Sequence, residues 1–282
     1  MYWQARRFHK LADLPDDKLL PALEAGLALV GENTSRLAGA ASRLAELGQG
    51  RPAKILASHA HDEAGKFLIL MDATRCPRTH LQAHLKRVKD HLSRLLYAET
   101  VRLFPATFKE LVGYLDSSRK SHYLDGPEGG AWVFRNSLLY WREQAMYVDY
   151  VEDEDGACSW QDPDHFEKLE GTAGLVSGPH LFATELAVAF LTAGLHRAAV
   201  LAIIADRWRT FVPADDTHIT EIQASTDRML EDLHERGLLQ GDEATWARIT
   251  ERWTFPLWSV ETSEEKVTLP ELLEAHERWM SW

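Results

Sequence analysis

Apolar residues recur at helical spacing in one segment of this chain after another. The clearest case runs from about Thr79 to Thr100, where one side is apolar: Leu81, Leu85, Val88, Leu92, Leu95 and Leu96. This period of 3.6 residues predicts an amphipathic helix. Similar patterns cover 11–30, 37–47, 52–68, 104–115, 132–145 and most of the chain after 163. We therefore predict an all-α protein.

Short signals mark where these predicted helices begin and end. Asn33-Thr34-Ser35 predicts the start of the helix over 37–47, and Gly48-Gln49-Gly50 predicts its end. Pro52 suits the first turn of the next helix. The β-branched and aromatic run Met146–Val151 predicts an extended segment instead. The expected architecture is thus a helical bundle with a short extended insertion near 146–162 and a helical C-terminal extension.

Composition excludes several classes of protein. With 45% hydrophobic and 26% charged residues, the 282-residue chain has an ordinary globular balance and is not expected to be disordered. Cys76 and Cys158 form no CxxC pair, which argues against a disulfide framework or a cysteine-rich zinc module. The apolar run Leu186–Ala205 is interrupted by His196-Arg197, so we interpret it as a buried helix rather than a membrane span. Since no signal-peptide pattern opens the chain, we expect a cytoplasmic protein without membrane contact.

Charge is unevenly distributed along the chain. The net charge is −12 overall, but it is +4 over residues 1–150, −6 over 151–211 and −10 over 212–282. A phosphate-bearing partner therefore fits the first part better than the last. The acidic last third also holds Trp246, Trp253, Trp258, Trp279 and Trp282. We expect a helical domain over 1–165 and an acidic, tryptophan-rich helical region over 166–282, either separate or packed on the first as one domain.

The first cluster of chemically useful side chains lies on the third predicted helix. His59, Asp62, Glu63 and Lys66 share one helical face, and Glu63 and Lys66 are spaced as an ion pair. Gly65 costs about 1 kcal/mol in a helix interior, which predicts the close approach of another helix. His61-Asp62 also resembles the dipeptide of metal-dependent phosphohydrolases. The alternatives are a solvated polar face and a metal site, the latter without a complete ligand set.

A second cluster follows on the helix predicted over 79–100. His80, His84, Arg87 and His91 are spaced to form one stripe. A neutral histidine can take the proton of a ribose 2′-hydroxyl, while a cation stabilises the phosphorane, so the stripe is suited to metal-independent RNA cleavage. The alternative is the surface stripe of a basic helix.

Three further motifs follow one another along the chain. The first runs from Gly31-Glu32-Asn33 to Asp62-Glu63-Ala64-Gly65-Lys66. The second is His84-Leu85-Lys86-Arg87. The third joins Met146-Tyr147-Val148-Asp149-Tyr150 to Ser159-Trp160-Gln161-Asp162-Pro163. In this order, and over roughly residues 25–165, the motifs resemble the AbiV family of bacterial abortive-infection proteins.

The resemblance implies a HEPN-like helical bundle, a fold in which many members are RNases with a motif of an arginine, four to six intervening residues and then a histidine. Arg78 and His84 fit that spacing and would be the catalytic pair. Arg87 and His91 would add phosphate contact or a proton donor. The residues implied to line the site or bind substrate are His59, Asp62, Glu63, Lys66, Lys86, Tyr147 and Asp149.

The implied function is an anti-phage effector that shuts down translation by RNA cleavage, without a cofactor and as a homodimer. Its partners would be RNA or the translation machinery and a phage-encoded trigger protein. One alternative is a non-catalytic protein that blocks translation by binding when the phage partner is present, with the acidic C-terminal third as the docking surface. Another is a metal-dependent hydrolase that uses His59, His61, Asp62 and Glu63.

Overall fold

The computed structural model describes residues 6–122, 136–143, 146–152, 157–161 and 180–267. Most of them are helical, which confirms the all-α prediction. The helices are α1 (Asp16–Glu46), α2 (Gly50–Asp72), α3 (Leu81–Lys86), α4 (His91–Thr100), α5 (Phe108–Ser118), α6 (Ser137–Glu143), α7 (His180–Thr192), α8 (Ala198–Trp208), α9 (Ile219–Glu235) and α10 (Glu243–Arg252). Short 3-10 helices cover Phe8–Asp13 and Arg87–Lys89.

Helix α1 continues through the residues that were expected to cap a second helix. Thr34 is buried and its hydroxyl donates to the Val30 carbonyl, while Ser35 donates to the Gly31 carbonyl. The prediction of a helix start at Asn33-Thr34-Ser35 is therefore wrong, because these hydroxyls are satisfied within one continuous helix. The predicted end is confirmed, since α1 stops at Glu46 and Gly48 adopts a φ of +71°.

The helix predicted over Thr79–Thr100 is broken into three pieces. Arg87–Lys89 forms a 3-10 turn, and Asp90 is extended, with φ −88° and ψ 123°. The Asp90 carboxylate then caps α4 by accepting from the Ser93 backbone N–H at 2.9 Å. The break means that His80, His84, Arg87 and His91 do not form one helical stripe, which corrects that expectation.

Helices α2 and α4 approach very closely at Gly65. A Cβ atom at this position would overlap the Arg94 carbonyl oxygen, so no larger side chain fits without movement of the backbone. The close approach that Gly65 predicted is confirmed. The close approach at Gly65 also determines which side chains of α2 and α4 contact each other.

The apolar run 186–205 forms two helices, α7 and α8, which are separated at 193–197 by a turn in which Gly194 has a φ of +72°. Phe190, Leu201 and Ile204 are fully buried, which confirms a core location. Among the described residues, no helix is both long and apolar enough to cross a membrane.

One buried cluster joins the N-terminal helices to the C-terminal part of the chain. It includes Leu27, Phe67 and Leu96 from the first part and Phe190 and Trp253 from the second. The segment 253–263, here called the strap, is mostly buried against α2–α4. The boundary predicted near 165 lies outside the described residues.

Two small pairs of strands complete the described structure. Strand β1 (Lys120–His122) pairs in parallel with β4 (Glu265–Val267). Strands β2 (Asp149–Glu152) and β3 (Cys158–Gln161) pair antiparallel, with Tyr150 opposite Trp160. The predicted extended insertion is thereby confirmed over these two strands, while 153–156 and 162 lie outside the described residues.

Candidate functional site

The crossing of α2 and α4 brings together two residues that the sequence singled out separately. Nδ1 of His91, the first residue of α4, lies 2.9 Å from Oδ1 of Asp62 on α2. The Asp62 side chain is only 5% exposed, whereas that of His91 is 39% exposed. The pair therefore combines a buried carboxylate with an imidazole that solvent can reach.

Arg94 holds the second oxygen of the same carboxylate. Its Nη1 lies 2.9 Å from Asp62 Oδ2, and its Nε donates to the Val88 carbonyl at 2.7 Å. Burial acts to raise the pKa of Asp62, but the hydrogen bond from His91 and the charge of Arg94 outweigh it and leave that pKa below the usual value. Asp62 is therefore an ionised carboxylate at neutral pH.

An ionised Asp62 sets the tautomer of His91. A carboxylate can only accept, so Nδ1 of the neutral imidazole must donate to it, and Nε2 then carries the lone pair. This arrangement presents a proton acceptor at the outer end of a ring whose inner end is fixed. The Asp62–His91 dyad can thus act as a general base or, once protonated, as a general acid.

Of the other residues predicted for the site, three lie on α2 and one lies at the end of α3. Glu63 and Lys66 follow Asp62 on α2 and form the expected ion pair at 2.9 Å. His59 lies half-buried less than one turn before Asp62, and Lys86 is exposed at the end of α3.

The β2–β3 hairpin contains the other two predicted residues. Tyr147 is exposed just before β2, and Asp149 begins β2 opposite Gln161. Within the described ranges, the side chains that meet at the dyad come from α2 and α4. Participation of Tyr147 and Asp149 in the site stays a prediction.

Arg78 and His84 have different surroundings. The exposed Arg78 donates to the carbonyls of Ala12 and Leu14. The His84 ring is buried, its Nε2 lies 2.8 Å from the Ile69 carbonyl oxygen, and burial lowers its pKa to about 4. Their assignment as a catalytic pair stays a prediction, and the described contacts give both a structural role.

Arg87 contributes to structure rather than to the solvent-facing dyad. It donates to the carbonyls of Leu257 and Val260 at 2.7 and 2.6 Å and so attaches the strap to the turn before α4. His80 stacks on the Trp258 ring of the same strap, with 5.0 Å between centroids. Arg87, which was expected to contact a phosphate, and His80, which was expected in the histidine stripe, therefore both face this segment, and a phosphate contact of Arg87 stays a prediction.

A buried polar network centred on Asp72 was not anticipated from the sequence. Its carboxylate accepts from Arg75 at 2.7 Å, from the Tyr97 hydroxyl at 2.9 Å and from the Leu257 N–H at 2.8 Å. Arg75 also donates to Thr254 and lies over the Trp253 ring at 4.4 Å. The three-residue spacing of Asp72 and Arg75 within an apolar segment was the available signal for it.

The two residues of the dipeptide that suggested a metal site, His61 and Asp62, have different partners. Nε2 of His61 lies 3.5 Å from the buried Glu99 carboxylate, whereas Asp62 binds His91 and Arg94. Over the part of the chain that the structure describes, no three His, Cys, Asp or Glu side chains are placed to hold a metal ion. Comparisons of the chain with family models, with curated proteins and with solved structures give no match.

Proposed function

We propose that this protein is an anti-phage abortive-infection effector that arrests translation by cleaving RNA without a metal ion. The three motifs that resemble the AbiV family support the cellular role. The observation that supports the chemistry is the Asp62–His91 dyad, with its buried carboxylate and accessible imidazole. The dyad replaces Arg78–His84 as the centre of the proposed site.

The proposed reaction is transesterification within the RNA strand. His91 Nε2 takes the proton of a ribose 2′-hydroxyl, and the resulting oxygen attacks the adjacent phosphorus. The bond from phosphorus to the 5′-oxygen breaks, and that oxygen takes a proton from water, which leaves a 2′,3′-cyclic phosphate and a 5′-hydroxyl. The His91 imidazolium then returns its proton to the solvent. Asp62 stabilises the imidazolium that forms, and we assign the phosphate to Lys86, which is exposed at the end of α3, with Lys66, the partner of Glu63, lining the site.

Purified protein incubated with single-stranded RNA in the presence of a chelator tests this chemistry. We expect His91→Ala to lower the cleavage rate by about 10² or more, the usual contribution of a general base. Asp62→Asn should also lower it strongly, because the amide no longer fixes the tautomer. Arg78→Ala and His84→Gln serve as comparison variants and should keep most of the activity.

Mapping of the RNA ends identifies the products, which should be cyclic phosphates in reactions with the unmodified protein. Full activity of His91→Ala would disprove the assignment of the dyad. Loss of activity only in Arg78→Ala and His84→Gln would instead support Arg78 and His84 as the catalytic pair, as the spacing of the arginine and the histidine suggested.

A second candidate function is the non-catalytic block of translation by binding. It is favoured by the aromatic surface of the β2–β3 hairpin, where Tyr147 is 57%, Tyr150 is 59% and Trp160 is 72% exposed. The Tyr150 and Trp160 rings contact each other, with 5.0 Å between centroids, and large exposed apolar patches are typical of protein-binding sites. Arrest of translation with intact RNA would support this function over cleavage.

The homodimer and the phage-encoded trigger belong to the same proposal. Sedimentation of the purified protein tests the dimer, and recovery of a bound phage protein from infected cells tests the trigger. A monomer at micromolar concentration would exclude a stable dimer without affecting the assignment of the dyad.

A further inference from the structure

The β2–β3 hairpin presents a group of exposed apolar side chains to solvent. Of the ten large hydrophobic side chains that are exposed in the described ranges, four belong to Tyr147, Val148, Tyr150 and Trp160. Tyr150 pairs with Trp160 across the two strands, and their ring planes meet at 54°. The rings are therefore not stacked flat on each other, and most of the Trp160 ring is left accessible to a partner.

The segment that carries these rings is also strongly acidic. Residues 146–162 contain six acids and no Lys, Arg or His, which gives a net charge of −6 in a chain whose total is −12. Three of the acids, Asp153-Glu154-Asp155, follow β2 directly. Chain length alone keeps the Cα atom of Asp153 within about 11 Å of that of Tyr150. Aromatic surface and negative charge therefore occur in one small region.

Charge distinguishes between the partners that exposed aromatic rings can bind. Nucleic-acid bases stack on such rings, and tyrosine and tryptophan also occupy membrane surfaces. A segment of charge −6 repels the phosphates of RNA and of anionic lipids, and it repels a second copy of itself in the same way. A cationic partner is attracted instead, and its cations gain further from contact with the face of a Trp or Tyr ring.

We infer that the β2–β3 hairpin is the docking surface for an arginine-rich segment of another protein, with an arginine side chain on the rings of Tyr150 and Trp160. Arginine fits these rings better than lysine, because its guanidinium is planar, stacks on aromatic faces and is more weakly hydrated. The inference goes beyond the dyad and its chemistry. It identifies the class of partner that the binding alternative leaves open.

Binding of a fluorescein-labelled peptide of Gly-Arg repeats, measured by fluorescence anisotropy, tests the ring contact. We expect the double variant Tyr150→Ser, Trp160→Ser to bind about tenfold more weakly, because each cation–ring contact contributes a factor of about two to five. A Gly-Lys peptide of equal length should bind more weakly than the arginine peptide, and a Gly-Gln peptide should not bind. The matched control Leu29→Ser, Val212→Ser removes two exposed apolar side chains elsewhere and should bind as the unmodified protein does.

Neutralising the acids between the strands tests the contribution of charge without changing a ring or a strand residue. We expect Asp153→Asn, Glu154→Gln, Asp155→Asn to weaken binding of the arginine peptide about tenfold at 0.1 M salt. The difference should shrink at 1 M, because the screening length falls from about 10 Å to about 3 Å. The matched control Asp216→Asn, Glu231→Gln, Glu235→Gln removes three exposed acids from the C-terminal third, and it should leave binding unchanged.

Several results would overturn the inference. Equal binding of the arginine and lysine peptides would exclude the ring contact, and equal losses in the hairpin variants and their controls would exclude the hairpin as the surface. Self-association that is lost in Tyr150→Ser, Trp160→Ser would identify a second copy as the occupant. Binding of single-stranded 2′-O-methyl RNA that is lost in the same variant would identify RNA.

Two further measurements separate these outcomes from misfolding and from the proposed cleavage. Tyr150→Phe keeps the ring and should keep binding, and thermal unfolding checks that every variant is folded. RNA cleavage is followed in parallel in the hairpin variants. Because they leave Asp62 and His91 intact, they should cleave RNA as the unmodified protein does, so failure of peptide binding and failure of the dyad are scored independently.

Discussion

At the scale of single residues, Gly65 shows how one missing side chain determines the site. Helix α4 lies so close to α2 that the Arg94 carbonyl occupies the space of a Cβ atom. We expect Gly65→Ala to lower the free energy of unfolding by about 3 kcal/mol or more, because backbone must move to relieve the overlap. Urea denaturation measures the change.

Gly26 provides the matched control for that substitution. It lies within α1, and a Cβ atom there would meet nothing within 4 Å. Gly26→Ala should leave stability unchanged or raise it by up to about 1 kcal/mol through helix propensity. Equal destabilisation by the two substitutions would show that helix packing at Gly65 is not the cause.

The buried His84 makes stability depend on pH. Burial lowers its pKa to about 4 in the folded protein, against 6.5 for the exposed ring. As the pH falls, His84 therefore takes up a proton in the unfolded chain before it does so in the folded protein. The stability that comes from burying the neutral ring is complete above pH 6.5 and is lost as the pH falls toward 4. Linkage gives a loss of about 3 kcal/mol.

Comparison with His84→Gln isolates this effect, since the amide of glutamine can still donate to the Ile69 carbonyl and does not titrate. The variant should show a smaller fall in unfolding free energy between pH 6.5 and 4. Parallel pH profiles for the two proteins would mean that His84 does not titrate over this range.

At the scale of the elements, the start of α4 positions the imidazole of the dyad. Asp90 accepts from the Ser93 N–H at 2.9 Å and from the Ser93 hydroxyl at 2.6 Å. We expect Asp90→Ala to cost about 1 kcal/mol, the usual contribution of an N-cap. It should also lower RNA cleavage at least about tenfold, because His91 is the first residue after the cap.

Asp242 offers a close match for that experiment. It caps α10 by accepting from the N–H and the hydroxyl of Thr245 at 2.9 and 2.6 Å. Asp242→Ala should cost a similar free energy of unfolding and leave cleavage unchanged. If both variants lowered activity equally, general stability rather than the position of His91 would be responsible.

Local patterns in the sequence predicted most of the helices but not the break before α4. The leucines from Leu81 to Leu96 are all buried, so the apolar face was identified correctly. The turn at 87–89 depends on Arg87 bonding to Leu257 and Val260, which are about 170 residues away in the chain. No local pattern contains such a contact.

The same limit applies to the candidate site. Asp62 and His91 were each singled out from the sequence, one on a polar helix face and the other in a histidine stripe. Their pairing depends on the helix crossing at Gly65, and Arg94 joins them only because that crossing buries it. The residue types were therefore predictable, whereas the partnership required the tertiary structure.

At the scale of the whole molecule, the strap links the C-terminal part of the chain to the helices that carry the dyad. Arg75 is buried, bonds to Asp72 and donates to the carbonyls of Thr254 and Phe255. We expect Arg75→Met to cost about 3–5 kcal/mol, because it leaves the Asp72 charge buried without its cation. Guanidinium-induced unfolding would measure this effect.

An exposed ion pair serves as the control for the buried pair of Arg75 and Asp72. Asp232 on α9 and Arg236, the residue after the end of that helix, lie 2.9 Å apart with both side chains accessible to solvent, so Arg236→Met should cost less than about 1 kcal/mol. Comparable destabilisation in the two variants would show that burial of Asp72 does not determine the cost.

The bonds from Arg75 and Arg87 to the strap also bear on how the sequence can diverge. All of them end on peptide carbonyls, at Thr254, Phe255, Leu257 and Val260, and every amino acid provides that group. Through these hydrogen bonds the two arginines recognise the path of the main chain, and the contact of Arg75 with the Trp253 ring is the one that depends on a side chain. In a library of functional variants, positions 75 and 87 should therefore tolerate few replacements, while the hydrogen bonds that they make place no restriction on the side chains of the strap.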